Sequence, residues 1–304
     1  MFANLIRRLL NFPKKTKQQR FRSYVYRWLR WFPKLPAPVL LPFGSWWLLD
    51  RDYLGRSLLG EGYENSEWDF ELRFVKPGMT ALDIGAHRGF HTLLLSKSVG
   101  KSGRVLSFEP SPADVRRLLF HVTVNLCRNV SVRPWAIGEE NGVADLYVIE
   151  ANTVQNSLRP QHTGLPGTAT PVVVRKLDDV LSKEGIHNVD FVKLDVEGAE
   201  LQVLKGAERL LTTVPRPVIL CEVLEETAMA WGYHSRLIVE YLADRGFSWF
   251  ALNDEGKLVR LDANQSEFHG NFVAVPEEAF QTIRHLCAST CCLEGGSEIP
   301  DGVE

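Results

Sequence analysis

Residues 81–89 read Ala-Leu-Asp-Ile-Gly-Ala-His-Arg-Gly, a short apolar strand that enters a glycine turn and then a helix. A strand that passes directly into a helix opens a βαβ unit, and parallel strands joined this way need helices over both faces of their sheet. Gly85 lets the chain turn sharply with no side chain between backbone and ligand, and Gly89 lets the next helix start close to the sheet. Open parallel sheets bind ligands at the carboxyl ends of their strands, near a topological switch. A ligand is expected at this turn.

The rest of the chain agrees with that start. Strands are predicted at Thr80–Ile84, Arg104–Phe108, Val130–Pro134, Phe191–Leu194, Pro217–Val223 and Trp249–Leu252. Helices are predicted near Glu67–Phe74, Thr92–Val99, Ala113–Leu126, Ala199–Leu211 and Arg236–Arg245. The alternation predicts an α/β, Rossmann-like domain with a mostly parallel sheet. Val143–Ile149 and Val172–Arg175 read as an added strand pair, and Ala151–Thr170 between them as a long polar loop. Three regions result: a basic, Trp-rich extension over 1–49, the main domain over 50–280, and a tail over 281–304 that is disordered at its end.

The turn also discriminates between ligands. A dinucleotide site requires G-x-G-x-x-G to bring a pyrophosphate to a helix N-terminus. This turn has G-x-x-x-G, preceded by Asp83. A carboxylate repels a pyrophosphate and attracts a sulfonium and an α-ammonium group, so the turn favours S-adenosyl-L-methionine over NAD. Glu109 lies 24 residues beyond Gly85 at the end of the second strand, where an acid accepts hydrogen bonds from ribose hydroxyls. The structural alternative for both acids is turn formation or helix capping.

A second segment reads Phe-Val-Lys-Leu-Asp-Val-Glu-Gly-Ala-Glu over 191–200. Period-2 alternation puts Lys193, Asp195 and Glu197 on one side of the strand. Charges on a central parallel strand are costly unless they sit at its end and face a site. A buried Lys–Asp pair that merely fixes the turn is the plainer reading.

Together, Asp83-Ile84-Gly85-Ala86, Phe108-Glu109-Pro110, Trp135-Ala136-Ile137-Gly138, Lys193-Leu194-Asp195-Val196-Glu197-Gly198-Ala199-Glu200, Leu204-Lys205-Gly206-Ala207, Cys221-Glu222-Val223 and Asn271-Phe272-Val273 resemble the FkbM family of methyltransferases. The likeness covers roughly residues 60–276. It implies a class I methyltransferase fold, S-adenosylmethionine as donor, and methylation of a hydroxyl on a sugar, glycolipid or secondary metabolite. Carried over by position, Asp83, Gly85, Ala86, His87 and Gly89 frame the methionine moiety. Glu109, with Ser111 beside it, holds the ribose, and Ala136 lies near the adenine. Asp195 borders the donor, and Glu64, after Tyr63, reaches it. His87-Arg88 departs from the family pattern, which has Asn followed by a small or apolar residue.

Methyl transfer to an alcohol needs alignment and a base for the hydroxyl proton. Asp195 is the first candidate, Glu197 and Glu222 are the alternatives, and Lys193 is placed to hold Asp195 ionised. His91 and His162 read as structural or exposed. The scheme requires no metal; the carboxylates could bind Mg²⁺, but no Asp-Asp-Asn cluster is evident. Competing readings are an NAD-dependent oxidoreductase, a degenerate domain that serves as a scaffold, and a nucleic-acid methyltransferase.

The extension is the least explained part. Residues 1–49 hold ten Lys or Arg and no Asp or Glu, in a chain of net charge −2. Phe21, Tyr24, Val25, Trp28, Leu29 and Phe32 repeat at helical spacing, and Pro33, Pro36 and Pro38 then break the helix. One reading is a peripheral helix on an anionic membrane; the plainer one is an arm packed on the main domain or on a second subunit. Without a nucleic-acid motif, nucleic acid is the disfavoured partner. The five cysteines lack paired spacing, and no apolar run reaches the ~18 residues of a membrane span, so reduced thiols and a cytoplasmic chain, at most peripheral at the membrane, are expected.

Overall fold

The computed structural model describes residues 17–59, 64–149, 152–160, 167–262 and 265–288. The chain forms two compact units, Met1–Tyr63 and Glu64–Glu304. Among the described residues no helix is long and apolar enough to cross a membrane.

The described part of the first unit opens on the expected helix, α1 (Lys17–Trp31). A hairpin of β1 (Ala37–Leu40) and β2 (Trp46–Leu49) follows, then α2 (Tyr53–Leu59). The hairpin was not foreseen. Its prolines read as helix breakers, yet Pro38 sits within β1 of a two-stranded ribbon, where a missing N–H is tolerated at an edge. The Tyr24 hydroxyl donates to the Pro38 carbonyl at 3.0 Å, and the Arg51 guanidinium donates to the Leu29 carbonyl. Residues 50–59 lie in the same compact unit as this helix and hairpin.

The second unit is built on an eight-stranded sheet. Its strands are β3 (Thr80–Ile84), β4 (Arg104–Phe108), β5 (Val130–Arg133), β9 (Phe191–Leu194), β10 (Val218–Leu224), β11 (Phe247–Leu252), β12 (Leu258–Arg260) and β13 (His269–Pro276), in the order β12-β11-β13-β10-β9-β3-β4-β5. Strands β5, β4, β3, β9 and β10 run parallel, and β13 lies antiparallel between β10 and β11. The chain moves from β3 outward through β4 and β5, then returns to β9 and β10 on the other side, so the switch point falls between β3 and β9. The expected Rossmann-like, class I methyltransferase architecture is present.

Strand alternation divides the core into two layers. Leu82, Ile84, Leu106 and Phe108 share one layer with α6 (Leu177–Lys183), α7 (Glu200–Lys205), α8 (Glu208–Thr212), α9 (Glu225–Ala230) and α10 (Arg236–Ala243). Ala81 and Val105 face the other way, onto α3 (Asn65–Phe74) and α4 (Phe90–Val99). Ile283 and Leu286 are buried in that second layer, so the main domain runs past 280 to at least Ala288. The rest of the tail lies outside the described residues.

Two further elements differ in detail from expectation. The predicted Ala199–Leu211 helix is two helices, α7 and α8. A Cβ on Gly206 would meet the Gly138 carbonyl oxygen at 2.1 Å, and Asp178 caps α8 by accepting from the Arg209 and Leu210 N–H groups. The added strand pair, β7 (Gly142–Val148) and β8 (Thr168–Lys176), gains a third member, β6 (Ala136–Gly138), parallel to β8. The loop between β7 and β8 carries a short 3-10 turn over Thr153–Gln155 and a bridge between Ser157 and Tyr147.

Candidate functional site

The carboxyl ends of β3, β4 and β9 converge at the switch point. After β3 the chain enters the glycine turn, where the Gly85 and Ala86 N–H groups donate to the Phe108 carbonyl at 3.0 and 2.9 Å. Gly85 has φ +88°, and a Cβ there would lie 1.6 Å from the Asp195 carbonyl oxygen. The turns after β3 and β9 are thus pressed together at a position that admits only glycine. Gly89, at φ +92°, lets α4 approach Leu118. Leu118 lies in α5 (Pro112–Val124), the helix after β4.

Glu109 closes over this turn. It is buried, and its two oxygens accept from the His87 N–H and the Ser111 N–H, both at 2.7 Å. A carboxylate offers about four acceptor positions, so two remain. Burial, with the charge of Asp114 in support, pushes the Glu109 carboxyl up to about 8, against the pull of the two backbone donors. Asp83 is also buried; it accepts from the Thr92 hydroxyl, which lies 2.8 Å from the Ser107 hydroxyl. The unusual His87-Arg88 pair is tied to neighbouring side chains. The His87 ring contacts Thr153 Oγ1 at 2.8 Å, and Arg88 donates to Asp114 Oδ1 at 3.2 Å and to Thr153 Oγ1 at 3.1 Å.

A group of acids stands beside the turn. Lys193 Nζ donates to Asp195 Oδ2 at 3.1 Å and lies 3.5 Å from Asn271 Oδ1, while Asn271 donates to Glu67 at 3.1 Å. Burial works against the Lys193 ammonium, but Asp195, Glu64 and Glu222 outweigh it and hold the amine protonated above the ordinary lysine range. Asp195, Glu197 and Glu222 bring carboxylate oxygens within 4.8 Å of one another. One Glu222 oxygen is buried without a hydrogen-bond partner, and burial, then the charges of Asp195 and Glu197, push that carboxyl well above the usual range. Three carboxyls this close disfavour full ionisation of the group. The same oxygens are the group among the described residues that could hold a divalent cation. Glu200 shapes the adjoining turn by accepting from the Val196 and Gly198 N–H groups at 3.0 and 3.3 Å.

His91 is held between two acids. Its Nδ1 meets Glu71 at 2.9 Å and its Nε2 meets Glu64 at 2.7 Å. Burial disfavours the imidazolium, but both carboxylates outweigh it and raise the ring well above its ordinary value. A histidine so paired is an unsuitable free base, in keeping with its structural reading.

An open cavity of about 620 Å³ lies against the three-stranded sheet. Tyr147, Arg159, Gln202 and Trp231 line it, as does Ala199, two residues past Glu197. The Ser157 hydroxyl, next to the lining residues Leu158 and Arg159, donates to the Glu197 carbonyl at 2.8 Å. Arg159 sits over the Trp231 ring at 5.2 Å, and the Trp231 indole N–H is buried without a partner.

The structure thus brings Lys193, Asp195, Glu197 and Glu222 together, and gathers His87, Glu109 and Ser111 at the turn. Ala136 is packed with Leu146 and Val172, inside the small sheet's own apolar cluster. His162 and Tyr63 lie outside the described residues. Sequence reasoning missed Glu71, Thr92, Ser107 and the Glu67–Asn271–Lys193 chain. Asn271 carried a signal through its family-like Asn-Phe-Val; Glu71 and Thr92, within helices, carried none.

The sequence model of the methyltransferase FkbM domain matches residues 83–249, more than half of the chain. "Methyltransferase 1" of Beauveria bassiana is 25% identical over 144 residues, covering 42% of this chain and 57% of that protein. The chain thus spans little more than half the length of that relative. "Methyltransferase sdnD" of Sordaria araneosa is 25% identical over 194 residues, covering 55% and 72%. Among solved structures, the FkbM methyltransferase of Methylobacillus flagellatus KT aligns at 16% identity with a TM-score of 0.41, over 90% of this chain and 70% of that one. With a matched domain that spans both glycine turn and acid group, the chain belongs to the FkbM methyltransferase family.

Proposed function

We propose that the protein transfers a methyl group from S-adenosylmethionine to a hydroxyl oxygen of a sugar, glycolipid or secondary metabolite. The observation that carries this reading is the position of Asp195. Its backbone N–H donates to the Ile84 carbonyl at 3.0 Å, so its carboxylate stands beside the donor turn and next to the Lys193 ammonium.

The donor set suits the cofactor. Buried acids end or follow β3 and β4, Glu109 keeps acceptor capacity, and the backbone at Gly85 is bare. Bound there, S-adenosylmethionine supplies a methyl group already activated on a sulfonium. Glu109 accepts from ribose hydroxyls, and Asp83 with its Thr92 partner borders the methionine end. Asp195 accepts the proton of the acceptor hydroxyl, and Lys193 orients the carboxylate for that purpose. Glu222 positions a second hydroxyl. The cavity lined by Tyr147, Gln202 and Trp231 has the size of small-molecule sites and holds the rest of the acceptor.

Calorimetric titration with S-adenosylmethionine, its demethylated product and NAD⁺ tests the donor half of this reading. Binding of the first two with no binding of NAD⁺ is expected, and the reverse would overturn it. Transfer of a labelled methyl group to a panel of hydroxylated acceptors, with amine analogues beside them, then tests the oxygen acceptor.

A further inference from the structure

The first unit exposes more aromatic and basic surface than its own packing uses. One face of its hairpin, Ala37, Val39, Trp47 and Leu49, is buried. Alternation places Leu40 and Trp46, which pair across the hairpin, on the other face, where a solvated strand ordinarily carries polar residues. Both are more than half exposed. Trp31, at the end of α1, is 77% exposed, and Tyr26 and Tyr53 are exposed as well. The helical stripe read from the sequence accounts for buried Val25 and leaves these rings unexplained.

Four arginines of this unit line a single space. On α1, Arg22, Tyr26 and Arg30 share one face at four-residue spacing. With Arg51, after β2, and Arg56, in α2, they line a cavity of about 650 Å³. Asp50 is the one acid on its wall. The planar forks of guanidinium groups match phosphate oxygens. Exposed Trp and Tyr rings, apolar in body and polar at one edge, suit the headgroup layer of a bilayer.

We infer that this cavity binds the phosphate of an anionic phospholipid headgroup, with the exposed aromatics of the same unit seated in the membrane interface. The occupant follows from charge: residues 1–49 carry ten cations and no carboxylate, complementary to an anionic leaflet. The inference does not rest on the methyl-transfer reading.

Flotation of the full chain with vesicles tests the inference. Vesicles of phosphatidylcholine with phosphatidylglycerol are expected to bind it, those of phosphatidylcholine alone far less, and added salt to weaken the binding. Each arginine near an anionic surface is worth about 1 kcal/mol, so Arg30→Ala with Arg56→Ala should weaken binding about thirtyfold. Trp31→Ser with Trp46→Ser should also reduce it, and brominated lipid should quench the wild-type tryptophan fluorescence. Both pairs of changes fall on exposed positions, and melting curves check that the variants fold. A short-chain phosphatidylglycerol below its micelle concentration should compete on the wild-type chain, independently of any variant. Equal affinity for the two vesicle types would overturn the inference. So would saturation by inorganic phosphate with vesicles left unbound, or capture of single-stranded RNA in place of vesicles.

Discussion

Lys193 Nζ lies 3.1 Å from Asp195 Oδ2, with the lysine side chain closed to solvent and the aspartate side chain 26% exposed. The pair is therefore a buried cation aimed at a carboxylate that a substrate can reach. Were it only a turn-fixing ion pair, both partners could be buried alike. A positioned base contributes ~10²–10⁴-fold to rate, so Asp195→Asn should lower turnover within that range. Lys193→Met should lower it less, by roughly tenfold or more, through lost orientation of Asp195. Donor affinity should change by no more than a few fold in either variant. Single-turnover kinetics beside donor titration separate the two effects, and unchanged turnover in Asp195→Asn would remove the base assignment.

Glu109 gives the donor site a pH dependence with a definite sign. In the free protein its carboxyl is pushed up to about 8, so it is protonated at neutral pH. Ribose hydroxyls favour the ionised form, and binding must then release a proton. Donor affinity should rise with pH, by at most about tenfold per unit, and level off above about pH 8. In the unliganded protein, a raised carboxyl favours folding at low pH, and this contribution is lost as pH rises from the ordinary glutamate range through about 8. Glu200, raised by burial to about 7, acts in the same direction. Donor should accordingly raise the melting temperature more at alkaline than at mildly acidic pH. Glu109→Gln should bind donor weakly and without the slope; a slope that persists would assign the proton elsewhere.

The parts of this protein that were legible in sequence share one property: local chemistry dictates them. Gly85 and Gly89 mark a strand–turn–helix because few other residues tolerate those dihedrals. Lys193, Asp195 and Glu197 announce a strand end because charge within a parallel strand is costly. The hairpin of the first unit was illegible because Pro38 and Leu40 serve a two-stranded ribbon with edges on both sides. The close approach of Glu222 to Asp195 arises from sheet order: β10 lies next to β9, with Cys221 opposite Leu194, and nothing within either strand encodes that neighbour. Glu71 likewise gains its meaning only when α3 packs on α4 and meets His91.

That last contact carries a stability prediction. The Glu71 side chain is fully buried, and its charged partner in contact is the His91 imidazolium. Removing one member of a buried pair leaves an uncompensated charge and costs ~3–5 kcal/mol. His91→Ala should lose about that much in denaturant unfolding at neutral pH. Burial raises the Glu71 carboxyl, so in the variant protonation relieves the charge, and the deficit should shrink as pH falls. A deficit that is small at neutral pH would show that Glu71 is neutral in the native protein.

Gly85 provides the sharpest test of how the donor turn and the acid group depend on each other. An alanine there suffers twice. Its φ of +88° costs an L-residue on the order of 1–3 kcal/mol. Its Cβ would also fall 1.6 Å from the Asp195 carbonyl oxygen, a backbone atom that moves only if the turn after β9 moves with it. Relief by shifting the β3 turn spoils the donor cradle, and relief by shifting the β9 turn displaces Asp195. Gly85→Ala should therefore lose both donor affinity and turnover while the sheet still folds, with a melting temperature several degrees lower. Gly185 has φ +64° and open space around its Cβ, so Gly185→Ala controls for backbone strain alone. If Gly85→Ala matched that control in donor titration and turnover, the two turns would not be mechanically joined, and the assignment of Asp195 to the edge of the donor site would fall with that link.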